Sequence, residues 1–392
     1  MNHFRTHQEI KAMIESTRNQ NRMPPAASLR VVLGHDWLTG MRGGERVLEL
    51  AASRYPAAPI MTLLCNHGAI SPALNAHPIV TSPLQRLPGV AAYYRRLLPL
   101  FPAAEAALRC PPADLVITFS HCVAKGLRPP RGARHLCYCF TPMRYAWLFF
   151  DEYVGRNSVK RLVSAPLFAW LRRWDRRGAA RVDRFVAISR HVQARIARFY
   201  GRDSDVVYPP VHTEFWTPGD TRPAGDYDLI VSALVPYKRL DLAVRLYSRT
   251  GRPLVVAGVG GERARLEAAA GPNVRFLGWQ PDEALRELYR GCRMLLFPGE
   301  EDFGIVPLEA MACGRPVVAL ARGGVLETVM EGLTGVFFAE QTEAALEEAI
   351  ARAAAVSWDR AAIRAHACTF GQAQFLAGFD AAVRKVMNVV RN

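Results

Sequence analysis

Short apolar runs separated by stretches of helical length recur along the chain from residue 29 onward. The first block predicts strands at Leu29–Leu33, Pro59–Leu63, Asp114–Ser120, Arg134–Phe140, Arg184–Ser189 and Asp205–Tyr208. The second block predicts strands at Leu229–Ala233, Leu254–Ala257, Val274–Leu277, Met294–Phe297, Pro316–Leu320 and Gly335–Phe338. Because strands alternate with helices in both blocks, each block predicts a doubly wound α/β fold with a parallel sheet.

A segment of linker composition separates the two blocks. It follows Pro209 and Pro210 and is rich in Pro, Gly, Thr and Asp. The sequence therefore predicts an N-terminal Rossmann-like domain over residues 29–211, a linker over 212–226 and a C-terminal Rossmann-like domain over 227–370. Residues 1–28 are polar, lack an apolar signal core and predict a flexible N-terminal extension.

Charge narrows the set of partners. The 392 residues include 50 basic ones, of which only five are lysines, and the formal net charge is +15. This charge predicts attraction to phosphates, in a nucleotide, an anionic lipid headgroup or a nucleic acid. No nucleic-acid-binding module is recognisable, so nucleic acid is not an expected partner. The eight cysteines show no disulfide framework and no paired zinc-like spacing, which predicts reduced thiols and no metal site.

Residues 294–320 are the most informative stretch. They predict a strand, a polar loop that contains Glu301, a short helix that carries Glu309, and a second strand. Ligands of such βαβ units bind where the first strand ends and the helix begins. Glu301 would therefore lie at the mouth of a site, with Glu309 behind it. The first backbone N–H groups of the helix lack intrahelical partners and would point at a bound anion or hydroxyl. These groups belong to Phe303, Gly304 and Ile305.

This stretch resembles the E-x7-E signature of retaining glycosyltransferases of the GT-B fold, family 4. The resemblance rests on the two glutamates, the intervening Phe-Gly-Ile-Val-Pro-Leu and the trailing Ala-Met-Ala-Cys-Gly-Arg-Pro-Val-Val. It implies that Glu301 contacts the donor sugar and that Glu309 holds the ribose hydroxyls of the nucleotide. It also implies two Rossmann-like domains that face each other across a cleft, with the acceptor bound by the N-terminal domain and the donor by the C-terminal domain. A C-terminal helix over 371–392 would cross back to the N-terminal domain. The alternative interpretation is that Glu301 lies in a solvated loop and that Glu309 is an exposed residue of a helix.

Two cations follow the first strand of the second domain. Lys238 and Arg239 begin a helix, where cations are unfavourable unless an anion is due there. They are suited to stabilising the charge that grows on a leaving diphosphate. Members of the resembling family usually carry an arginine five positions before this lysine, where Ala233 stands here. The residues leave open whether Arg239 or another arginine supplies the second positive charge.

The first domain offers a glycine loop and a histidine. Gly43 and Gly44 open the first helix, where the backbone can approach a ligand and an anion is favoured. This position resembles the family's loop against the donor phosphate and the acceptor. His121 follows a strongly apolar strand and would face the cleft. The resemblance implies a hydrogen bond from it near the donor sugar, although a lone histidine is more often structural. His35 and Asp36 are secondary candidates.

The segment from Thr141 to Trp147 resembles one found in bacterial polysaccharide-assembly members of family 4. Phe140 stands where a histidine often precedes this segment, and Leu148 stands where an aspartate often follows. The resemblance implies that side chains of the segment line an acceptor sugar or its diphosphate. The side chains concerned are those of Arg144, Tyr145 and Trp147. A packed aromatic loop is the alternative.

Arginines are crowded between residues 156 and 202, interleaved with leucine, phenylalanine and tryptophan. A basic amphipathic helix of this kind suits an anionic membrane surface, and a solvated basic face is the alternative. Together with the resemblance, this predicts a cytoplasmic enzyme that is peripheral on the inner face of the plasma membrane.

The resemblance implies a retaining transferase without cofactor or metal. It would move mannose from GDP-mannose to a polyprenyl-diphosphate-linked saccharide in cell-surface polysaccharide assembly. One alternative is a UDP-sugar donor. Another, from a different class, is a nicotinamide oxidoreductase, suggested by Gly258, Gly260 and Gly261, with Arg263 in place of the third glycine. A catalytically inactive scaffold that binds sugar nucleotides is a third.

Overall fold

The structure is a computed structural model that describes residues 29–148, 158–219 and 225–388. The predicted extension over 1–28 and part of the predicted linker lie outside these ranges. The described chain folds into two parallel sheets, each flanked by helices, and the predicted doubly wound α/β fold is confirmed. The strands are short, and those in the middle of each sheet are buried, because helices cover both faces of a parallel sheet.

The N-terminal sheet has seven strands in the order β3-β2-β1-β4-β5-β6-β7, all pairs parallel. They are β1 (Val31–His35), β2 (Ile60–Thr62), β3 (Ile79–Thr81), β4 (Leu115–Ser120), β5 (Arg134–Cys139), β6 (Arg184–Ala187) and β7 (Ser204–Val206). The order reverses between β1 and β4. This point, where neighbouring connections run to opposite sides, is the usual ligand crevice of the fold.

The C-terminal sheet repeats the arrangement with six strands in the order β10-β9-β8-β11-β12-β13, again with parallel pairs. They are β8 (Asp228–Val231), β9 (Leu254–Ala257), β10 (Val274–Gly278), β11 (Leu295–Phe297), β12 (Val317–Leu320) and β13 (Gly335–Phe338). Here the order reverses between β8 and β11.

The described α-helices of the first domain are α1 (Gly43–Ala52), α2 (Pro72–Asn75), α3 (Val90–Tyr93), α4 (Phe101–Ala106), α5 (Arg144–Trp147), α6 (Ser158–Ala180) and α7 (Arg190–Tyr200). Those that follow are α8 (Leu240–Thr250), α9 (Arg263–Ala268), α10 (Asp282–Gly291), α11 (Ile305–Ala312), α12 (Val325–Thr328), α13 (Glu343–Ala355), α14 (Arg360–Cys368) and α15 (Gln372–Met387). Short 3-10 turns at His67–Ala69, Pro83–Arg86, Tyr94–Leu100, Ala124–Gly126 and Pro236–Lys238 complete the connections.

Helix α15 packs on the N-terminal sheet rather than on the sheet it follows in the chain. Its Phe379 ring stacks on Phe119 of β4 with the ring centroids 6.1 Å apart. At its end, Lys385 forms an ion pair with Asp205 of β7 at 2.9 Å. The chain also meets itself at a parallel bridge between Val211 and Gly371. The chain therefore passes between the two domains twice, once after Val211 and once near Gly371. The domains also contact each other across the cleft.

The structure differs from the sequence predictions at three places described here. β1 begins two residues later than predicted and ends at His35, which carries the strand to the edge of the cleft. Strand β3 was not predicted, because prolines on both sides of it break up the apolar pattern of that region. Within the predicted linker, Trp216 is buried against Tyr289 with ring centroids 5.4 Å apart, so this part of the segment belongs to the core.

Candidate functional site

Four of the residues singled out from the sequence lie at the two points where the strand orders reverse. Asp36 follows β1 and His121 follows β4, whereas Lys238 follows β8 and Glu301 follows β11. The carboxyl ends of parallel strands meet at one edge of each sheet. The fold therefore gathers side chains that are far apart in sequence at two crevices.

Lys238 and Glu301 form an ion pair at the C-terminal crevice. Lys238 ends the 3-10 turn Pro236–Lys238, and its side chain is buried. The loop after β11 can approach this turn because residue 299 is glycine. A Cβ atom at Gly299 would lie only 2.8 Å from the Cα of Lys238. The pair borders a cavity of about 380 Å³, the arginine cavity, lined by Arg144, Leu148, Arg195, Tyr237, Arg239, Glu300, Glu301, Asp302 and Gln341.

The arginine cavity concentrates positive charge around a buried lysine. Burial and the nearby Arg144 guanidinium lower the pKa of Lys238 to about 7, and Asp302 opposes this shift. The contact with Glu301 acts in the same direction as Asp302, since a carboxylate favours the charged ammonium. Arg239 also lines the cavity, but its guanidinium is paired with Asp241 at 3.1 Å. The cavity can thus accommodate an anion, and the Lys238–Glu301 ion pair lies beside it.

Asp302 links the two domains at this point. Its carboxylate forms ion pairs with Arg144 of α5 and Arg195 of α7, and its backbone carbonyl accepts a 2.5 Å hydrogen bond from the Ser189 hydroxyl. Burial acts to raise the pKa of Asp302, but the two guanidinium groups hold it below its ordinary value. The sequence analysis had not singled out Asp302 or Arg195. Only their tertiary contact distinguishes them from other loop acids and helix arginines.

Glu309 lines a second interdomain cavity of about 480 Å³, the glutamate cavity. The N-terminal domain contributes Gly43 and Arg46 to its wall, and α11 contributes Ile305 and Val306. The Tyr289 hydroxyl donates a 2.9 Å hydrogen bond to the Glu309 carboxylate. This bond fixes one oxygen of the carboxylate. A carboxylate held in this way, beside the exposed start of two helices, can accept hydrogen bonds from ligand hydroxyls.

The environment of Glu309 favours its neutral form. Burial raises the pKa of Glu309 to about 7, against opposing effects of the Tyr289 hydrogen bond and of Arg46. Arg46 is itself held by a 2.5 Å ion pair with Asp282 across the cleft. A half-buried carboxyl in a cavity, with its pKa displaced to neutrality, is a common mark of a functional site.

We expect Glu309→Gln to change how stability depends on pH. An unfolded glutamate releases its proton near pH 4.5, whereas Glu309 in the folded chain keeps it to about pH 7. Between these values the folded state binds more protons, so this group lowers the free energy of unfolding as the pH rises. In urea titrations from pH 5 to 7.5, the variant should therefore lose less stability than the wild type. Glu283→Gln, at an exposed position of α10, should leave the slope unchanged. Parallel slopes for wild type and Glu309→Gln would contradict the expectation.

His121 is oriented by Asp36. Its Nδ1 lies 2.9 Å from the Asp36 carboxylate, which is fully buried and also accepts backbone N–H bonds from residues 121–124. Burial acts against the charge on Asp36, but His121 and these N–H groups hold its pKa well below the ordinary value. In the described part of the chain nothing bonds to Nε2 of His121. That nitrogen is therefore available to a ligand in the cleft.

The remaining predicted residues fall into two groups. Gly43 and Ile305 line the glutamate cavity, and Gly304 caps α11. The other group is packed inside the protein. Gly44 lies against Phe140 and His35, and Phe303 stacks on Tyr208 with ring centroids 5.5 Å apart. Tyr145 is half-buried in the apolar cluster around Trp37 and Leu171.

The Trp147 indole does not reach either interdomain cavity. It donates a 2.8 Å hydrogen bond to Asp175 and stacks on Phe199, with ring centroids 4.9 Å apart. Of the three acceptor candidates, Arg144 alone lines the arginine cavity. The environment of Trp147 is thus the packed aromatic one that the sequence analysis gave as the alternative.

The glycines that suggested a dinucleotide fingerprint serve close packing. A Cβ atom at Gly258 would lie 1.8 Å from the carbonyl oxygen of Ser232, and one at Gly260 would lie 2.2 Å from that of Leu234. The loop after β9 is therefore pressed against the loop after β8. These two glycines permit backbone-to-backbone contact, which leaves no role for them as a cradle for pyrophosphate.

Metal-binding clusters and membrane-spanning helices are both relevant to the possible chemistry of the site. Within the described residues no three His, Cys, Asp or Glu side chains are grouped so that they could hold a metal ion. Nor is any helix of those residues both long and apolar enough to cross a membrane.

Comparison with known proteins agrees with this geometry. Residues 41–215 match the model of the Glycosyltransferase Family 4 domain, and residues 224–367 match that of the Glycosyl transferases group 1 domain. Among solved structures, Anabaena Alr3699/HepE in complex with UDP is similar, with a TM-score of 0.64, 17% identity and coverage of 91% of this chain and 100% of that one. Sucrose-phosphate synthase from Thermosynechococcus elongatus has a TM-score of 0.64 and 20% identity, with coverage of 91% and 97%. The chain thus contains a Glycosyltransferase Family 4 domain and a Glycosyl transferases group 1 domain, and its two parallel-sheet domains form a GT-B fold.

Similarity to curated relatives is confined to part of the chain. The D-inositol 3-phosphate glycosyltransferase of Acidothermus cellulolyticus is 33% identical over 188 residues, which cover 40% of this chain and 42% of the relative. The protein of the same description from Mycolicibacterium paratuberculosis is 35% identical over 193 residues, covering 42% and 44%. The alignment thus spans less than half the length of these relatives.

Proposed function

We propose that this protein is a metal-independent, retaining glycosyltransferase that takes a hexose from a nucleotide diphosphate sugar. The observation that carries the proposal is the presence of two interdomain cavities with complementary chemistry. One is lined by Glu301, which is paired with the buried cation Lys238. The other holds the carboxyl of Glu309. Together they suit a ligand with a diphosphate, a sugar and a ribose.

Each group would have a distinct role in transfer. Lys238 would stabilise the negative charge that develops on the departing phosphate, and preorganised charge in a dry site is worth most at that moment. Glu301 would orient the sugar, and Glu309 would accept hydrogen bonds from the ribose hydroxyls. His121 would bind a sugar hydroxyl through Nε2. The departing phosphate would help to deprotonate the acceptor on the same face, which retains the anomeric configuration.

The donor we propose first is GDP-mannose, because the chain from residue 29 onward resembles family 4 members that use GDP-mannose in O-antigen or exopolysaccharide assembly. UDP sugars are the second candidate. They are supported by the similar Anabaena protein, whose structures hold UDP and UDP-glucose. Anomeric NMR of the product would test retention independently of the sugar.

Thermal unfolding against nucleotide sugars tests the donor site. A ligand at 100 times its dissociation constant adds about 2.7 kcal/mol to stability, so a clear rise in Tm is expected with GDP-mannose or a UDP sugar. The rise should disappear in Glu309→Ala, because the ribose loses its acceptor. It should persist in Glu283→Ala, which alters an exposed glutamate outside both cavities.

The outcomes of this panel separate the hypotheses. A rise with UDP-glucose and not with GDP-mannose would keep the enzyme class and reject mannose. A rise with NADH alone would reject glycosyl transfer. A rise that survives in Glu309→Ala would place the nucleotide elsewhere. Slow hydrolysis of the bound sugar nucleotide would exclude an inactive scaffold.

We further propose that the acceptor is lipid-linked and that the protein works at the inner face of the plasma membrane. The support lies on α6. Its Leu162, Val163 and Trp170 side chains are 77%, 74% and 47% exposed. Exposed arginines follow on the same helix, among them Arg173 and Arg177. Exposed apolar side chains beside arginines suit the interface of an anionic bilayer.

Vesicle flotation tests this contact. Vesicles that contain phosphatidylglycerol should bind the wild type, and Leu162→Ser with Trp170→Ser should lower the bound fraction about tenfold or more, because the apolar contact is lost. Leu333→Ser with Val356→Ser, a matched pair of exposed apolar positions in the C-terminal domain, should bind like the wild type. Equal binding of all three proteins would reject α6 as the membrane contact.

A further inference from the structure

A third cavity lies in the C-terminal domain, at the edge of the sheet where β8, β11 and β12 begin. It measures about 500 Å³, and Asp228, Met294 and Pro316 line it at the starts of these strands. Strands of three or four residues place this edge about 10–13 Å from the opposite edge, after which Lys238 and Glu301 follow. This cavity, the amino-end cavity, shares no lining residue with either interdomain cavity.

The lining of the amino-end cavity is strongly basic. Among the described residues that line it, four are arginines and Asp228 alone is acidic. The Asp228 carboxylate is already engaged, because it is paired with Arg293 at 2.9 Å and accepts a hydrogen bond from the Tyr247 hydroxyl. Four arginines against one carboxylate leave three positive charges without a counter-charge in the lining. The arginines are Arg252, Arg293, Arg315 and Arg360.

Arg315 carries the most buried of these charges. Only 4% of the residue is exposed, and its guanidinium donates a hydrogen bond to the Arg290 carbonyl. Within residues 29–148, 158–219 and 225–388, no carboxylate forms an ion pair with Arg315 or Arg360. Burial and the like charge of Arg360 lower the pKa of Arg315. A guanidinium nevertheless keeps its proton in proteins, and buried charges are normally paired. The missing partner of Arg315 is therefore an anion.

The turn after α11 holds the two arginine segments close together. Gly314 has a φ of +74°, in the left-handed region that favours glycine. A Cβ atom at this position would lie 3.3 Å from both the Cβ and the carbonyl oxygen of Arg360. Arg360 is half-buried and begins α14. The backbone thus keeps two like charges near each other, an arrangement that a bound anion would stabilise.

We propose that the amino-end cavity binds the phosphate group of an organic phosphate monoester, with Arg360 on its oxygens and Arg315 as the buried counter-charge. A phosphate dianion matches the excess of positive charge, and the planar fork of a guanidinium matches phosphate oxygens. The organic part of the ligand would contact an apolar wall of the cavity, formed by Ile350, Val356 and Trp358. The ligand is neither donor nor acceptor of the proposed transfer, because the cavity lies at the other edge of the sheet.

Calorimetric titration of the full chain with phenyl phosphate, inorganic phosphate and phenol tests the proposal. We expect phenyl phosphate to bind more tightly than inorganic phosphate, because only the ester reaches the apolar wall, and phenol not to bind. Arg360→Gln should raise the Kd of phenyl phosphate about tenfold or more, the usual loss for one charge-assisted contact. Arg315→Gln should raise it by a similar factor. If the buried substitution prevents folding, the half-buried Arg360→Gln still decides the question.

Two control variants locate the bound anion. Arg265→Gln removes an exposed arginine of α9 that does not line the cavity, and Lys238→Ala alters the other edge of the sheet; both should leave the Kd unchanged. Loss of binding in Lys238→Ala but not in Arg360→Gln would place the anion among the residues proposed for sugar transfer and overturn the proposal. Equal weakening in Arg265→Gln and Arg360→Gln would indicate screening of the net charge and also overturn it, as would no binding of either phosphate.

The two phosphates distinguish the source of the anion. Tighter binding of the ester supports an organic ligand, whereas equal, Arg360-dependent binding of both supports a site for free phosphate. Since phenyl phosphate is not a sugar donor, the result does not depend on the outcome of the nucleotide-sugar panel. A failure of the proposed transfer would leave Arg360-dependent binding intact.

Discussion

Replacing Lys238 by alanine should slow sugar transfer by about a hundred- to a thousandfold, the range found when one preorganised group is removed from a developing charge. Lys238 is buried and touches Glu301, which lines the arginine cavity. Its charge would act mainly on the departing phosphate, which becomes more negative in the transition state. We therefore expect kcat to fall much more than KM rises, measured as release of the nucleotide in a coupled assay.

A matched control for this variant is Lys385→Ala, which removes a lysine that is also ion-paired but lies on α15, away from the cavities. Its kcat should stay within about twofold of the wild type, as surface substitutions usually have little effect. A Lys238→Ala enzyme with normal kcat would show that another cation acts on the leaving group. Arg144 would then be the first residue to test, because it lines the arginine cavity and lies near Lys238.

Local sequence carried most of the information about the fold. Strands such as β4 and β12 are continuous apolar runs, since both of their faces are buried, and such runs stand out against the helices between them. β3 shows the limit of this signal. It has only three residues, Ile79–Thr81, each at least partly exposed at the edge of the sheet. Neither length nor burial separates such a strand from the loops around it.

The candidate site likewise contains residues that local sequence identifies and residues that it does not. Glu301 and Glu309 could be singled out because one strand–loop–helix unit contains both, together with the specific residues between and after them. The ion pairs of Asp302 with Arg144 and Arg195 span more than a hundred residues of sequence, and no local pattern can specify such a contact. The second positive charge of the site illustrates this limit. The resembling family usually provides it by an arginine at the position of Ala233, and the sequence could not show which arginine replaces it. Arg239 is committed to Asp241, whereas Arg144 enters the cavity from the other domain.

Asp175→Asn should destabilise the protein by about 3–5 kcal/mol, the usual effect of removing one partner of a buried ion pair. Asp175 and Lys125 are both fully buried, and their charged atoms are 2.5 Å apart. Burial acts to lower the pKa of Lys125, but Asp175 holds it above its ordinary value. Without that carboxylate, the buried ammonium keeps a 2.5 Å hydrogen bond to the Cys122 carbonyl and a contact with the Tyr200 ring, neither of which supplies a compensating negative charge. Urea unfolding at pH 7 measures the loss.

Two further variants identify the cause of that loss. Asp205→Asn removes a partly exposed carboxylate with two cationic partners and should cost about 1 kcal/mol or less. Lys125→Met combined with Asp175→Asn leaves no buried charge at the site and should recover much of the stability. A loss below about 1 kcal/mol for Asp175→Asn alone would contradict this account of the pair.

The Asp175 network also bears on function, because it holds the segment that presents Arg144. The Asp175 carboxylate accepts a 2.8 Å hydrogen bond from the Trp147 indole of α5 and another from the Tyr200 hydroxyl of α7. Arg144 begins α5 and Arg195 lies on α7, and both reach Asp302 across the cleft. Trp147→Phe removes one of these bonds and keeps the aromatic packing. It should therefore lower kcat through Arg144 while costing far less stability than Asp175→Asn.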